Sequence, residues 1–354
     1  MPHHTPCPPT PRSPHVAVIV TVRNEEHTIT ALLESLIAQT CPPDEVVVVD
    51  GGSEDKTVQV LRAYQHRLPL KIRVCPGVNI SQGRNIAIRE TTAPIIASTD
   101  AGVRLSPHWL EHLTAAWRRG ENPPAVAGFF SPDPRTPFEL ALAATTLPLP
   151  EEIDPARFLP SSRSVAFTRT TWEAVGGYPE WLRYSEDVVF DLRVRGRVGD
   201  FAWAPEAVVF FRPRSSVGAF FRQYRNYAFG DGQADLWRHR HLVRYLTYMV
   251  VLPLGVWLGV TVHPGFLFVL LVGGLAYCRR PWWRLWRLNG SWSWREKLLA
   301  ALWVPLLRLV GDVAKMIGYP QGVWWRWQHR GNVHIHWRRD LTRHVTGSAG
   351  GRLL

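Results

Sequence analysis

Residues 16–26 read VAVIVTVRNEE, and residues 45–55 read EVVVVDGGSED. Each is a short β-branched run that ends in a polar cluster, the pattern of a strand buried on both faces with a loop at its carboxyl end. Between them, Ile29, Leu32, Leu33, Leu36 and Ile37 recur at helical spacing, with Thr28 or Thr30 available as a cap. Taken alone, an apolar run ending in Asp-Gly is an ordinary strand and turn. Two such runs about 30 residues apart with a helix between them make a βαβ unit, whose carboxyl-end loops share one crevice. Arg23, Glu25, Asp50 and Asp55 converge there, and the Gly51-Gly52 pair lets backbone approach a ligand closely.

Four later stretches extend the pattern. In NISQGRNIA (79–87), the Gly83-Arg84-Asn85 triplet predicts a helix start with an arginine beside it, a geometry that suits a diphosphate. A surface arginine is the plain alternative. APIIASTDAG (93–102) predicts a short strand with Asp100 at its end. After a loop at Phe158–Ser164 that feeds another strand, WEAVGGYPE (172–180) predicts a short helix, a glycine stop and a turn. SEDVVFDLRV (185–194) then predicts a helix with a serine cap and two acids in its first turn, which dipole stabilisation by itself explains. Ala202–Phe211 supplies a further strand.

These motifs, in this order over about residues 15–235, resemble the family 2 glycosyltransferases. The resemblance implies an α/β fold of the GT-A class, a Rossmann-like nucleotide-binding mixed sheet flanked by helices. It implies that Thr21, Arg23, Glu25, Asp50 and Ser53 surround the nucleotide, with Asp50 accepting from a pyrimidine N–H, which favours a UDP-sugar. Arg84 matches the donor-binding arginine, and Asp100 matches the first acid of the Asp-x-Asp motif that holds Mg²⁺ or Mn²⁺. The second acid is replaced by Gly102, which weakens the expected metal site. Asp187 matches the catalytic base, which implies single displacement with inversion, and Glu186 is expected to orient the acceptor or the base. Processive members carry Gln-x-x-Arg-Trp, whereas this chain reads Gln223-Tyr224-Arg225-Asn226-Tyr227. That departure argues against a polymer synthase, while Arg222, Gln223 and Arg225 stay candidates for diphosphate or acceptor contact.

Past residue 235 the composition changes. Tyr245–Val262 and Phe266–Cys278 are apolar arms separated by His263-Pro264-Gly265, and a membrane helix needs about 20 apolar residues. A hairpin over about 245–278 is expected, with one span and an interfacial piece as the other reading. Arg238, Arg240 and Arg244 precede it, and Arg279, Arg280, Arg284 and Arg287 follow it. Positive loops stay cytoplasmic, so both ends and the catalytic domain are expected on that side of the cell membrane. The stretch 298–317 carries Arg308, Asp312 and Lys315, costly at a bilayer centre, and reads as an interfacial amphipathic helix.

The 354 residues thus divide into a disordered tail (1–14), a glycosyltransferase domain (15–235), membrane-associated helices (236–330) and a basic tail (331–354). A net charge of +12 with 17 tryptophans is compatible with nucleic-acid binding. The basic-aromatic density lies beside apolar stretches and outside any nucleic-acid module, so anionic lipid is the expected partner and nucleic acid is not. Cys7, Cys41, Cys75 and Cys278 show no paired spacing, which suits a reducing compartment and offers no zinc site. The expected activity is transfer from a nucleotide-diphosphate sugar to a lipid-linked or membrane-presented acceptor. The competing reading is a glycan- or nucleotide-sugar-binding scaffold, kept open by Gly102. A nucleotidyltransferase is disfavoured because the N-terminal region lacks a Gly-rich basic loop.

Overall fold

The computed structural model describes residues 14–288, 290–338 and 341. All but one residue of the expected tail at 1–14, and most of the stretch expected as the 331–354 tail, lie outside the described residues. Two compact units are present: one comprises residues up to Ser131, Ile153–Phe211 and those from Asn332 on, the other Pro132–Glu152 and Arg212–Gly331.

In the first unit, β1 (Val16–Val22), α1 (Ile29–Ile37), β2 (Glu45–Asp50), α2 (Thr57–Ala63), β3 (Leu70–Val74), α3 (Ile80–Arg89) and β4 (Ile95–Asp100) form the expected βα succession. β5 (Val103–Leu105), α4 (Trp109–Arg118) and β6 (Ala125–Pro132) follow. After α5 (Pro137–Thr146), which belongs to the second unit, come β7 (Val165–Thr168), α6 (Arg169–Ala174), α7 (Glu186–Arg197) and β8 (Phe201–Phe211). The eight strands make one mixed sheet in the order β3-β2-β1-β4-β7-β6-β8-β5. β1 pairs in parallel with β2 and β4, while β7 runs antiparallel to β4.

Strand alternation explains why these runs are apolar throughout. Val18, Val20, Val46 and Val48 face one core with Leu32, Leu33 and Trp109. Ala17, Ile19, Val47 and Val49 face the other with Phe167, Tyr178 and Phe190. In β1, β2 and β4, both faces of which are covered, the charged side chains fall at the strand ends, where Asp50 and Asp100 lie.

The second unit is helical. It joins α5 to α8 (Val217–Gln233), α9 (Arg238–Leu246), α10 (Leu252–Thr261), α11 (Gly265–Arg287) and α12 (Trp294–Gln328). A π-helical turn, Thr247–Val251, fuses α9 and α10 into one continuous helix, Arg238–Thr261. Among the described residues this is the one helix long and apolar enough to cross a membrane. The turn after Thr261 brings α11 back against α10. The second arm is longer than the apolar stretch to Cys278, because the helix continues to Arg287, where Arg284 clamps Glu152 at 2.6 and 3.0 Å.

α12 is likewise longer than the 298–317 stretch, and one side of it is packed. Val304 and Leu307 join Leu140, Phe220 and Leu285 in a third core. A Cβ on Gly318 would lie 2.0 Å from the Arg225 carbonyl oxygen, so α8 and α12 approach backbone to backbone. Gly318→Ala is therefore expected to force the two helices apart and lower stability by about 1–3 kcal/mol, as overpacking does. Gly273→Ala meets no atom within 4 Å and should be near neutral in the same thermal melt.

Candidate active site

The loops after β1 and β2 are tied together. The Asn24 N–H donates to Ser53 Oγ at 2.9 Å, the Glu54 N–H to Asn24 Oδ1 at 2.9 Å, and the Glu25 N–H to Thr57 Oγ1 at 2.8 Å. The Lys56 N–H reaches Glu26 Oε2 at 3.0 Å. Ser53 and Glu25 are thereby fixed on one rim, while Arg23 is exposed beside them. Thr28 sits at the cap position of α1, but its hydroxyl is turned to Glu25 and makes no cap hydrogen bond.

Asp50 is fully buried and its carboxylate serves its own turn. Oδ2 accepts the N–H groups of Gly52 at 3.0 Å and Ser53 at 2.9 Å, and Oδ1 accepts the Ser53 hydroxyl. Its geometry is that of a loop brace. Thr21, at the end of β1, touches α3: a Cβ on Gly83 would lie 2.8 Å from Thr21 Cγ2. Only glycine lets the helix come this close.

α3 starts three residues before the expected point. Asn79 and Gln82 form a capping box, so Arg84 lies in the second turn of the helix and not at its N-terminus. The expectation of Arg84 at a helix start is corrected accordingly: what Arg84 presents is its side-chain guanidinium. That group is 3% exposed, donating from Nη1 to Glu186 Oε1 at 2.7 Å and from Nη2 to Asp100 Oδ1 at 3.0 Å. Its Cζ lies 5.2 Å from the Tyr178 ring centroid. Burial works against the charge on Arg84, but Glu186 and Asp100 outweigh it, so the guanidinium holds its proton more firmly than usual.

Arg163 is the residue that sequence reading missed. It lies in the loop before β7, with Nε 3.1 Å from Asp100 Oδ2 and its guanidinium 4.9 Å over Phe211. Ser-Ser-Arg-Ser in a loop carries no periodic or motif signal. Only the fold brings it to Asp100.

The start of α7 also differs from expectation. Ser185 takes a left-handed conformation at φ 59° and makes no side-chain cap bond. Glu186 is buried on Arg84, whereas Asp187 is half-buried and accepts its neighbour's N–H, Val188, at 2.9 Å. Burial first, then repulsion from Asp187, push the Glu186 carboxyl above the usual range, with Arg84 pulling the other way. Asp191, one turn further on, is 1% exposed, its Oδ2 lacking a hydrogen-bond partner, and burial together with Asp187 raises it well above the ordinary value. The first two turns of α7 thus carry three acids, of which Glu186 and Asp191 are held above the ordinary carboxyl range.

Asn85 fixes the geometry around this node. Its Oδ1 accepts Trp172 Nε1 at 3.0 Å and the Tyr178 N–H at 2.9 Å, and its Nδ2 donates to the Tyr178 carbonyl at 2.9 Å. The Gly176-Gly177 turn, with φ of 75° and 74°, delivers Tyr178 to that position. Arg222, Gln223 and Arg225 lie on α8 in the second unit, where Gln223 Nε2 donates to the Tyr227 hydroxyl at 3.0 Å.

The residues also bear on a divalent ion. Among the described residues, no group of three or more His, Cys, Asp or Glu is placed to hold a metal. A Cβ on Gly102 would lie 3.9 Å from Glu25 Oε2, so the Glu25 carboxylate reaches the space beside the missing acid. Each Asp100 oxygen carries one arginine contact, and a carboxylate oxygen keeps a second lone pair. Asp100 with Glu25 is a sparse hard-oxygen set that fits Mg²⁺ or Mn²⁺ when phosphate oxygens complete the shell.

Residues 17–152 match the Glycosyl transferase family 2 profile. A validoxylamine A glucosyltransferase of Streptomyces hygroscopicus subsp. limoneus is 30% identical over 179 residues, 48% of this chain and 39% of that protein. Glycosyltransferase AglE of Haloferax volcanii is 27% identical over 237 residues, 63% of this chain and 74% of its own length. The chain spans less than half the length of the two validoxylamine A glucosyltransferases it matches, 39% and 42%. A mannosyltransferase from Pyrobaculum calidifontis, solved with GDP-Man and Mn²⁺, shares the fold at a TM-score of 0.52 and 19% identity, covering 90% of each chain. Residues 17–152 are accordingly a glycosyl transferase family 2 domain, built on a mixed sheet of the GT-A kind.

Proposed function

We propose that this chain is an inverting glycosyltransferase that moves a sugar from a nucleotide-diphosphate donor, with UDP favoured, to a hydroxyl of a lipid-linked or membrane-presented acceptor. The observation that carries the reading is the Arg84 node, in which one buried guanidinium joins Glu186 at the start of α7 to Asp100 at the end of β4. In this reading the rim formed by Thr21, Arg23, Glu25 and Ser53 receives the nucleotide, and Asp50 acts on it by holding Gly52 and Ser53 in place. The half-buried Asp187 takes the proton of the acceptor hydroxyl as it attacks the anomeric carbon. Glu186, fixed by Arg84, orients that carboxylate. Arg163 and Arg84 offset the charge that develops on the departing diphosphate. A divalent ion held by Asp100 and Glu25 would supply further charge neutralisation at that diphosphate.

Membrane attachment is supported by the continuous apolar helix Arg238–Thr261 and by the exposed Leu, Val, Phe and Trp side chains of α9–α12. A site held at a bilayer gains local concentration only for acceptors in that plane. Relatives matched over part of the chain carry glucosyltransferase and glycosyltransferase names, which supports a hexosyl donor. The test is calorimetric titration of the full chain with UDP-, GDP- and dTDP-sugars, with and without Mn²⁺. One nucleotide sugar is expected to bind, about ten- to a hundredfold more weakly in Arg163→Ala, the loss of a charged hydrogen bond. Absence of binding by every donor would refute the reading.

A further inference from the structure

In the second unit, the charges that fit an apolar span poorly gather on one side of α12. Asp312 is 4% exposed and accepts three donors: Arg244 Nε at 2.7 Å, Tyr248 OH at 2.9 Å and Tyr277 OH at 2.7 Å. Asp231 is engaged by His241, whose Nε2 lies 3.3 Å from its Oδ2. One arginine and two phenols therefore occupy the Asp312 carboxylate.

Arg308, one turn before Asp312, and Lys315, one turn after it, share that face of the helix. Neither forms an ion pair or a side-chain hydrogen bond among the described residues. Arg308 lies 4.3 Å over the Tyr277 ring, and its buried Nε has no hydrogen-bond partner. Lys315 Nζ lies 4.9 Å over the Tyr224 ring. Three cations thus stand near two carboxylates, Asp312 and Asp231, each already engaged by other donors. A cation withdrawn from water without an anion is unfavourable, and a ring face only partly compensates. The missing component is an anion.

We propose that Arg308 and Lys315, backed by Arg244, form a binding site for the phosphate headgroup of a lipid. A lipid is favoured over a soluble anion by the surrounding surface: Leu242, Leu246, Met249 and Val250 on the continuous helix, and Leu309 and Val313 on α12, are exposed. Acyl or prenyl chains cover such side chains while the headgroup meets the cations, and an ionisable group at this depth marks a ligand path. Guanidinium and ammonium groups form short, charge-assisted hydrogen bonds with phosphate oxygens. The inference rests on the membrane-presented acceptor proposed above, and assigns its carrier phosphate to this site.

The test uses the full chain in phosphatidylcholine nanodiscs, titrated with a fluorescent polyprenyl phosphate. Phosphatidylglycerol and inorganic phosphate are the competitors. Arg308→Gln and Lys315→Gln are each expected to weaken retention about tenfold, the loss of one charged contact. Arg308→Lys should retain most of the binding and controls for a folding defect, and Arg279→Gln, an interfacial arginine outside the cluster, should bind as wild type. Preference for polyprenyl phosphate assigns the carrier; equal competition by phosphatidylglycerol assigns a general anionic headgroup. Equal competition by inorganic phosphate, or unchanged retention in both glutamine variants with wild-type melting, overturns the lipid site. UDP-sugar titration of the same nanodiscs separates the two failures: intact donor binding with no lipid effect defeats this inference alone.

Discussion

Asp187→Asn is expected to reduce sugar transfer about 10²- to 10⁴-fold while nucleotide-sugar affinity stays near wild type, because the amide has nearly the same shape but cannot accept a proton. The substitution preserves the acceptor that Val188 N–H uses at 2.9 Å, so α7 should start as before. If the acid served the helix dipole alone, the result would be a stability change of about 1 kcal/mol or less and near-normal turnover. Glu186→Gln should be milder in turnover, since an amide still accepts from Arg84 and still orients its neighbour. Transfer rate, donor affinity and melting temperature measured on both variants distinguish these outcomes. Wild-type turnover by Asp187→Asn would remove Asp187 from the mechanism.

The second large effect is on stability as well as chemistry. Arg84→Ala leaves Glu186, 7% exposed, buried without its partner, and breaking such a pair costs about 3–5 kcal/mol. Arg84→Lys keeps a charge but replaces a planar fork by a point cation, which cannot hold Glu186 Oε1 at 2.7 Å and Asp100 Oδ1 at 3.0 Å together. Removing both members, Arg84→Met with Glu186→Met, should recover most of the stability because no uncompensated charge is left. Transfer should stay lost in all three. Denaturant titration of the full chain, read beside the transfer assay, checks the pattern. A double variant no more stable than Arg84→Ala would mean that the cost arises from packing and not from charge.

Local pattern alone determined the sheet's parallel half. β-branched runs at 16–22 and 45–50 have both faces apolar, and a segment of that kind is stable only between two layers, so strand, helix and strand followed from composition and spacing. The ends of those strands located Asp50, Asp100 and the rim residues, because loops at the carboxyl ends of parallel strands are the places where polar groups escape burial. The two acids at 186–187 were legible as a helix start for the same local reason.

What the tertiary structure decided is which of those groups meet. Arg84 finds Glu186 across 102 residues and Asp100 across 16, distances in sequence over which no periodicity carries information. Arg163 reaches Asp100 from a loop with no signature, and Asp191 is buried beside Asp187 although its position in the sequence reads as an ordinary helical acid. Asp50 was placed correctly at a strand end, yet the turn it ends on captures its carboxylate, which is a matter of backbone donors and not of residue type. In the helical unit, hydropathy located the apolar arms. It did not locate the partners of Asp312, since Arg244, Tyr248 and Tyr277 come from separate turns and helices, and only packing selects which face of each is turned inward. Sequence fixes what each segment must bury or expose; the sum of long-range contacts chooses the neighbours, and the chemistry of the site lies in those neighbours.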